Sequence, residues 1–155
     1  MDWTPDRHAA LAALDLFVTN AGRTYARSRN YDHGPGTRHN VSCLSPYLRH
    51  RLLEERTVLA AVLGRHSPSE SEKFVQEVFW RAYFKGWLEH RPGVWEAYCD
   101  DLATLGESLE RDTALRNDLM AATGAATGID CFDAWTRELR ETGYLHNHAR
   151  MWFAS

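Results

Sequence analysis

Between Lys73 and Leu88 the chain reads KFVQEVFWRAYFKGWL, and this run constrains the fold more than any other. At about 100° per residue, positions four apart lie nearly above one another. Lys73, Glu77, Arg81 and Lys85 therefore form one charged stripe, while Phe74, Val75, Val78, Phe79, Trp80, Tyr83, Phe84, Trp87 and Leu88 cover most of the remaining circumference. A helix apolar nearly all round is normally a buried helix. The stripe then has two readings. In the first it is a solvated edge, with Glu77 pairing Lys73 or Arg81 for roughly 0.2–0.5 kcal/mol per pair. In the second it lines a polar cavity within the fold, where Arg81 meets an anionic ligand and Glu77 and Trp80 face whatever enters.

Punctuation elsewhere also predicts helices. Thr4 reads as an N-cap with Pro5 at the first helical position, and Gly22 follows the last apolar residue of that segment. Residues 23–43 have no sustained period and contain Gly-Pro-Gly, so they read as a long irregular segment and a candidate site loop. A short helical turn follows Ser45-Pro46, and a helix spans about 54–63 before Gly64. Ser69 or Ser71 caps the helix that runs to about His90. Further helices are predicted near 93–108, 111–122, 130–141 and from 145 to the chain end, with Gly124, Gly128 and Gly143 as breaks. No strand alternation competes, and there is no internal repeat. The expected class is all-α, a non-repeating helical domain.

A length of 155 residues suits one domain, and 44% hydrophobic with 25% charged residues is an ordinary globular balance. The net charge of -3 provides no global field toward nucleic acid or anionic membrane, so any polyanion site must be a local patch. Nearly all the basic residues are Arg, with Lys73 and Lys85 the exceptions. That suits bidentate contacts to phosphate, and genomic base composition produces the same bias. Cys43, Cys99 and Cys131 are isolated, so neither a disulfide framework nor a structural zinc site is expected. Reduced thiols in a cytoplasm are the expected state. No run reaches the length of a membrane span, and charges stand where a signal sequence needs apolar residues.

Two smaller constellations carry chemistry. In GYLHNHARMWFAS, His146 and Arg150 share a helical face beside Asn147 and His148. The two histidines are two apart and point to different sides, so no metal is expected. The ordinary reading is a helix terminus with surface histidines. In NVSCLSPYL, Ser42 and Ser45 precede a helix, where hydroxyls and unpaired N–H groups can hold phosphate. Ser-Pro is equally a plain helix start.

SCLSPYL, then QEVFWRAYF, then TGIDCFDAWTRELRETGYLHNHARMWFAS occur in one order. Together they resemble the FAD-binding helical domain of the DNA photolyase and cryptochrome family, over roughly residues 23–155. The last segment is the most specific, with Thr-Gly, Asp-Ala, Arg-x-Leu, aromatic-x-His-Asn and Arg-Met in the family's spacing. The resemblance implies that Val41, Ser42, Cys43, Leu44 and Ser45 wrap the flavin diphosphate and ribityl chain, and that Tyr25 or Tyr31 also contacts the cofactor. It implies that Phe74, Arg81 and Arg150 lie against FAD, so that the charged stripe faces the cofactor. It matches Glu77, Trp80 and Asn147 to the family's lesion-contacting residues, for light-driven repair of pyrimidine dimers in DNA. A cryptochrome-type signalling module is the alternative within the family, and a cofactor-free helical interaction fragment is the alternative outside it.

Two departures shape the expectation. No α/β antenna domain precedes Pro5, so no second pigment is expected. The chain also stops at Ser155, where relatives continue into further helices that complete the flavin site. A truncated FAD-binding domain over 1–155 is the expectation, and sequencing the gene past codon 155 tests it.

Overall fold

Helix starts follow side chains that can satisfy the first unpaired N–H groups. In the computed structural model, which describes residues 3–154, Asp6 caps α1 (Arg7–Val18), its Oδ1 accepting the Ala9 N–H at 2.7 Å. The cap is thus two residues later than the expected Thr4, because the Asp6 carboxylate reaches the N3 amide and a carboxylate also favours the positive helix end. α1 stops at Val18, before Gly22, which instead starts α2 (Arg23–Ser28) inside the segment expected to be irregular. Glycine lets the His66 ring approach closely there: an added Cβ would sit 2.7 Å from its Nδ1 and push against a ring whose Nε2 lies 2.7 Å from the Val18 carbonyl.

α3 (Ser45–Arg49) and α4 (Glu55–Leu63) follow the positions predicted for them. α5 (Pro68–Glu89) starts one turn earlier than Ser71 suggests. Ser67 and Glu70 form a capping box: Ser67 Oγ accepts the Glu70 N–H at 3.4 Å, and Glu70 Oε2 accepts from the Ser67 N–H at 3.4 Å and its hydroxyl at 3.0 Å. α6 (Pro92–Arg111), α7 (Thr113–Thr123), α8 (Asp130–Thr142) and α9 (Asn147–Phe153) complete the chain. The last was expected to run to the end; Ser155 lies outside the described residues. No strand occurs among the described residues, so the architecture is all-α.

The chain divides into two units, Met1–Tyr83 and Phe84–Ser155, and the division falls within α5. In the first, α1 packs on α4, and Leu14, Leu44, Leu53, Val58 and Val62 are fully buried. Phe17, Tyr25 and Phe74 make a three-ring cluster with centroids 5.1–5.9 Å apart, which fastens α5 to α1 and α2.

In the second unit α6 packs on α7, α7 on α8 and α8 on α9. The Arg116 guanidinium closes the end of α6 by donating to the carbonyls of Leu109 at 2.7 Å and Glu110 at 3.0 Å. Asp133 closes the turn before α8. Its carboxylate accepts the Thr127 hydroxyl at 2.6 Å and the N–H groups of Thr127 and Gly128 at 3.0 and 3.1 Å. That explains the Thr-Gly and Asp-Ala spacing as one hydrogen-bonded turn. Gly143 ends α8 at φ +66, a left-handed position that suits glycine.

Candidate functional site

The segment between α2 and α3 is ordered by its own polar side chains. Asp32 Oδ1 accepts the Gly34 N–H at 3.0 Å and is clasped by Arg38 through Nε at 3.0 Å and Nη2 at 2.8 Å. The Arg38 side chain is only 1% exposed, so its charge is held in the interior by that carboxylate. Tyr31 is exposed, its ring stacked on His33. Beyond Asn40, Val41, Ser42, Cys43 and Ser45 are half-buried and Leu44 is buried. Cys43 takes φ +51, a conformation uncommon outside glycine, and Ser42 Oγ accepts the Leu44 N–H at 3.4 Å.

On α5 the charged stripe splits. Lys73 and Lys85 are exposed. Glu77 reaches across to α2 and accepts from Nη1 of Arg29, and Arg81 Nε lies 3.7 Å from Glu55 Oε1 at the start of α4. Neither helical neighbour, Lys73 or Arg81, is the partner Glu77 takes. The contacts are tertiary because this face of α5 turns toward α2 and α4, where opposite charges wait. Arg81 Nε is buried and has no hydrogen-bond acceptor, since the Glu55 oxygen is beyond bonding distance. Beside this pair the Tyr25 phenol is pushed up to about 12, first by burial and then by the Glu77 carboxylate, with Arg29 opposing both.

Of the other residues singled out on these elements, Tyr25 and Phe74 stand in the core with rings 5.2 Å apart. Trp80 is 53% exposed and meets Tyr83 edge to face at 5.6 Å. Phe79, Tyr83, Phe84 and Leu88 are exposed as well, so the apolar circumference that predicted full burial is buried only at its start, at Phe74 and Val78. The core of the first unit engages α5 at those two positions and no later.

In the second unit, His146 is buried and caps α9, its Nδ1 accepting the His148 N–H at 3.2 Å. That cap turns Asn147 and Arg150 outward, and both are exposed. Arg150 donates from Nε to the Leu145 carbonyl at 3.0 Å and lies over the Tyr144 ring at 5.4 Å, which fixes the guanidinium while leaving donors directed to solvent. Among the described residues, no group of three or more His, Cys, Asp or Glu side chains is placed to hold a metal ion. Among the described residues, no helix is long and apolar enough to cross a membrane.

Arg29 and Glu55, the charge partners of the stripe, were not foreseen. Arg29 lies 48 residues from Glu77 in sequence, and nothing local marks the pairing.

Comparison with known proteins places these features. A family model described as the FAD binding domain of DNA photolyase matches residues 74–155. The deoxyribodipyrimidine photo-lyase of Agrobacterium fabrum is 31% identical over 156 residues, covering 99% of this chain and 31% of that protein. Its counterpart in Thermus thermophilus is 33% identical over 147 residues, covering 95% and 33%. The Neurospora crassa protein is 29% identical over 162 residues, covering 99% and 25%. The chain thus spans 25–33% of the length of these relatives. No solved structure gives a significant match.

Proposed function

The chain belongs to the family of the FAD-binding domain of DNA photolyase, and on that premise we propose that residues 1–155 are part of a flavin site serving light-driven repair of pyrimidine dimers. One observation supports this most. Arg81 Nε is a buried donor without an acceptor, on the helix that also carries Glu77 and the exposed Trp80. Leaving such a donor unmet costs about 1–3 kcal/mol, which an oxygen of a bound nucleotide relieves. The charged face of α5 is then a ligand face, held in shape by Arg29 and Glu55.

The residues present fit FAD. Val41, Ser42, Cys43, Leu44 and Ser45 form a shaped, half-buried loop whose hydroxyls and amides suit a diphosphate and ribityl chain. α3 has five residues and adds little dipole, so contacts there rest on those groups themselves. Tyr31, exposed beside that loop, is the tyrosine available for direct contact, while Tyr25 and Phe74 support α5 from the core. Arg150, fixed over Tyr144, offers outward donors to anionic oxygens. FAD, when bound and reduced, supplies the photoexcited electron that splits the dimer and takes it back.

Glu77, Trp80 and Asn147 are the proposed lesion contacts. Glu77, held by its pairing with Arg29, is placed to accept hydrogen bonds from a base edge. The exposed Trp80 indole offers a stacking face, and the exposed Asn147 amide reads an edge by donating and accepting. The damaged pair must leave the duplex to reach such groups, at a few kcal/mol that damage lowers. Phosphate contacts from arginines such as Arg140 should weaken as salt rises. Cys99 and Cys131 are free thiols, and the cytoplasm, where thiols stay reduced, is the compartment this reading assigns.

Purification tests the reading. A yellow protein that releases FAD on heating is expected, and a colourless one that resists reconstitution overturns flavin binding for this chain. Illuminating the reduced protein with dimer-containing single-stranded DNA should restore thymines; retained flavin without repair points instead to signalling. Arg150→Ala should lose flavin before helix content, and equal loss of both removes Arg150 from the site.

A further inference from the structure

Asn40 stands immediately before the loop Val41–Ser45 and is 7% exposed. Its Nδ2 makes two short hydrogen bonds, to the carbonyls of Ser28 at 2.7 Å and Tyr31 at 2.8 Å. Ser28 is the last residue of α2, so one of these bonds satisfies a helix-end carbonyl. The next residue back is held as well, because Asn20 Nδ2 donates to the His39 carbonyl at 3.2 Å. The far side of the Asn40 amide is different: Oδ1 is buried and has no partner. Turning the amide over would set Oδ1 against two carbonyl oxygens, so its orientation is decided by the donors alone.

We propose that Asn40 is the positioning residue of the cofactor loop, its amide pinning residue 40 to the end of α2 so that Val41–Ser45 are presented in one shape. This rests on the reading that the loop holds FAD. The segment from Arg29 to Asn40 is closed at its base by this amide, with the half-buried Asp32 paired to the buried Arg38 within it. A loop anchored at its first residue need not be ordered by its ligand, and ligand affinity gains what ordering would otherwise cost. The strained Cys43, three residues on, is kept in place by the same anchor.

The discriminating variant is Asn40→Asp, which keeps the shape, removes both donors and faces two carbonyls with a carboxylate. Val62→Ala, in the core of the same unit, serves as a control for lost stability without a change in the loop. FAD affinity of the full chain, read by quenching of flavin fluorescence, should fall at least tenfold in Asn40→Asp and less than threefold in Val62→Ala. Amide exchange measured without FAD should accelerate at least tenfold across 41–45 in Asn40→Asp only. Unchanged affinity and unchanged exchange in Asn40→Asp overturn the proposal while leaving FAD binding intact. If the unsubstituted chain takes no FAD, the flavin reading has failed, and exchange across 41–45 still decides whether Asn40 holds the loop.

Discussion

The two units are built from the same element and held by different forces. In Met1–Tyr83, helices close over an apolar interior in which Leu14 is 2% exposed and Leu53, Val58 and Val62 are sealed off completely. In Phe84–Ser155, α6 and α7 contain no buried residue at all, and Trp95, Tyr98, Leu102 and Leu105 are exposed. What is buried there lies on α8, on α9 and in the connection between them, where the polar Asp133, Thr136, Glu138 and His146 stand beside the apolar Tyr144, Leu145 and Ala149. Local capping can therefore define a helix without a core, whereas a core defines which helices meet.

The contrast can be broken most directly by cavity formation. Leu14→Ala should destabilise the first unit by about 2–5 kcal/mol, measured by urea denaturation. A loss below about 1 kcal/mol would remove the distinction. Next in size, Gly143→Ala should cost the second unit about 1–2 kcal/mol. An added Cβ meets nothing within 4 Å there, so the loss is purely one of backbone conformation at φ +66. Asp112→Ala removes the acceptor of the Leu115 N–H and should cost about 1 kcal/mol, read as faster amide exchange in the first turn of α7. Leu102→Ala, at a side chain 50% exposed, should change stability by about 0.5 kcal/mol or less.

The smallest effect appears only in acid. The Thr127 hydroxyl, aided by the amides of Thr127 and Gly128 and opposed by burial, holds the Asp133 carboxyl below its usual range. A depressed carboxyl contributes stability above its unfolded value, near pH 3.9, and loses it as pH falls through the folded value. Exchange around residues 127–133 should quicken below about pH 4, and Asp133→Asn should abolish that step. An unaltered step in the variant assigns it to another group.

Helix positions were legible because caps and breakers act within a turn or two of chain. The Gly143 stop and the Pro92 restart follow from residues beside them, whereas α5 starts at Pro68, ahead of the expected caps Ser69 or Ser71, because Ser67 and Glu70 cap it. The short α2 was hidden because its N-cap Gly22 has no side chain to cap with, the side chain that meets its last carbonyl is that of the distant Asn40, and its only buried residue is Tyr25. At the site, the stripe on α5 was visible as a pattern, yet its partners Arg29 and Glu55 were not, since they are brought to it by α2 and α4. Exposure of Trp80 and Phe84 was likewise invisible: an apolar circumference states what a helix can bury, and packing decides how much of it is buried.

By itself, then, the amino-acid order determined the helical class, most helix limits and the family, because these depend on contacts and motifs short in sequence. Tertiary structure alone decided that Glu77 meets Arg29, that Arg81 Nε is left without an acceptor, and that Asn40 ties the loop to α2. Such pairings join groups far apart along the chain, and their energies exist only once burial has removed the water that would otherwise satisfy each group separately.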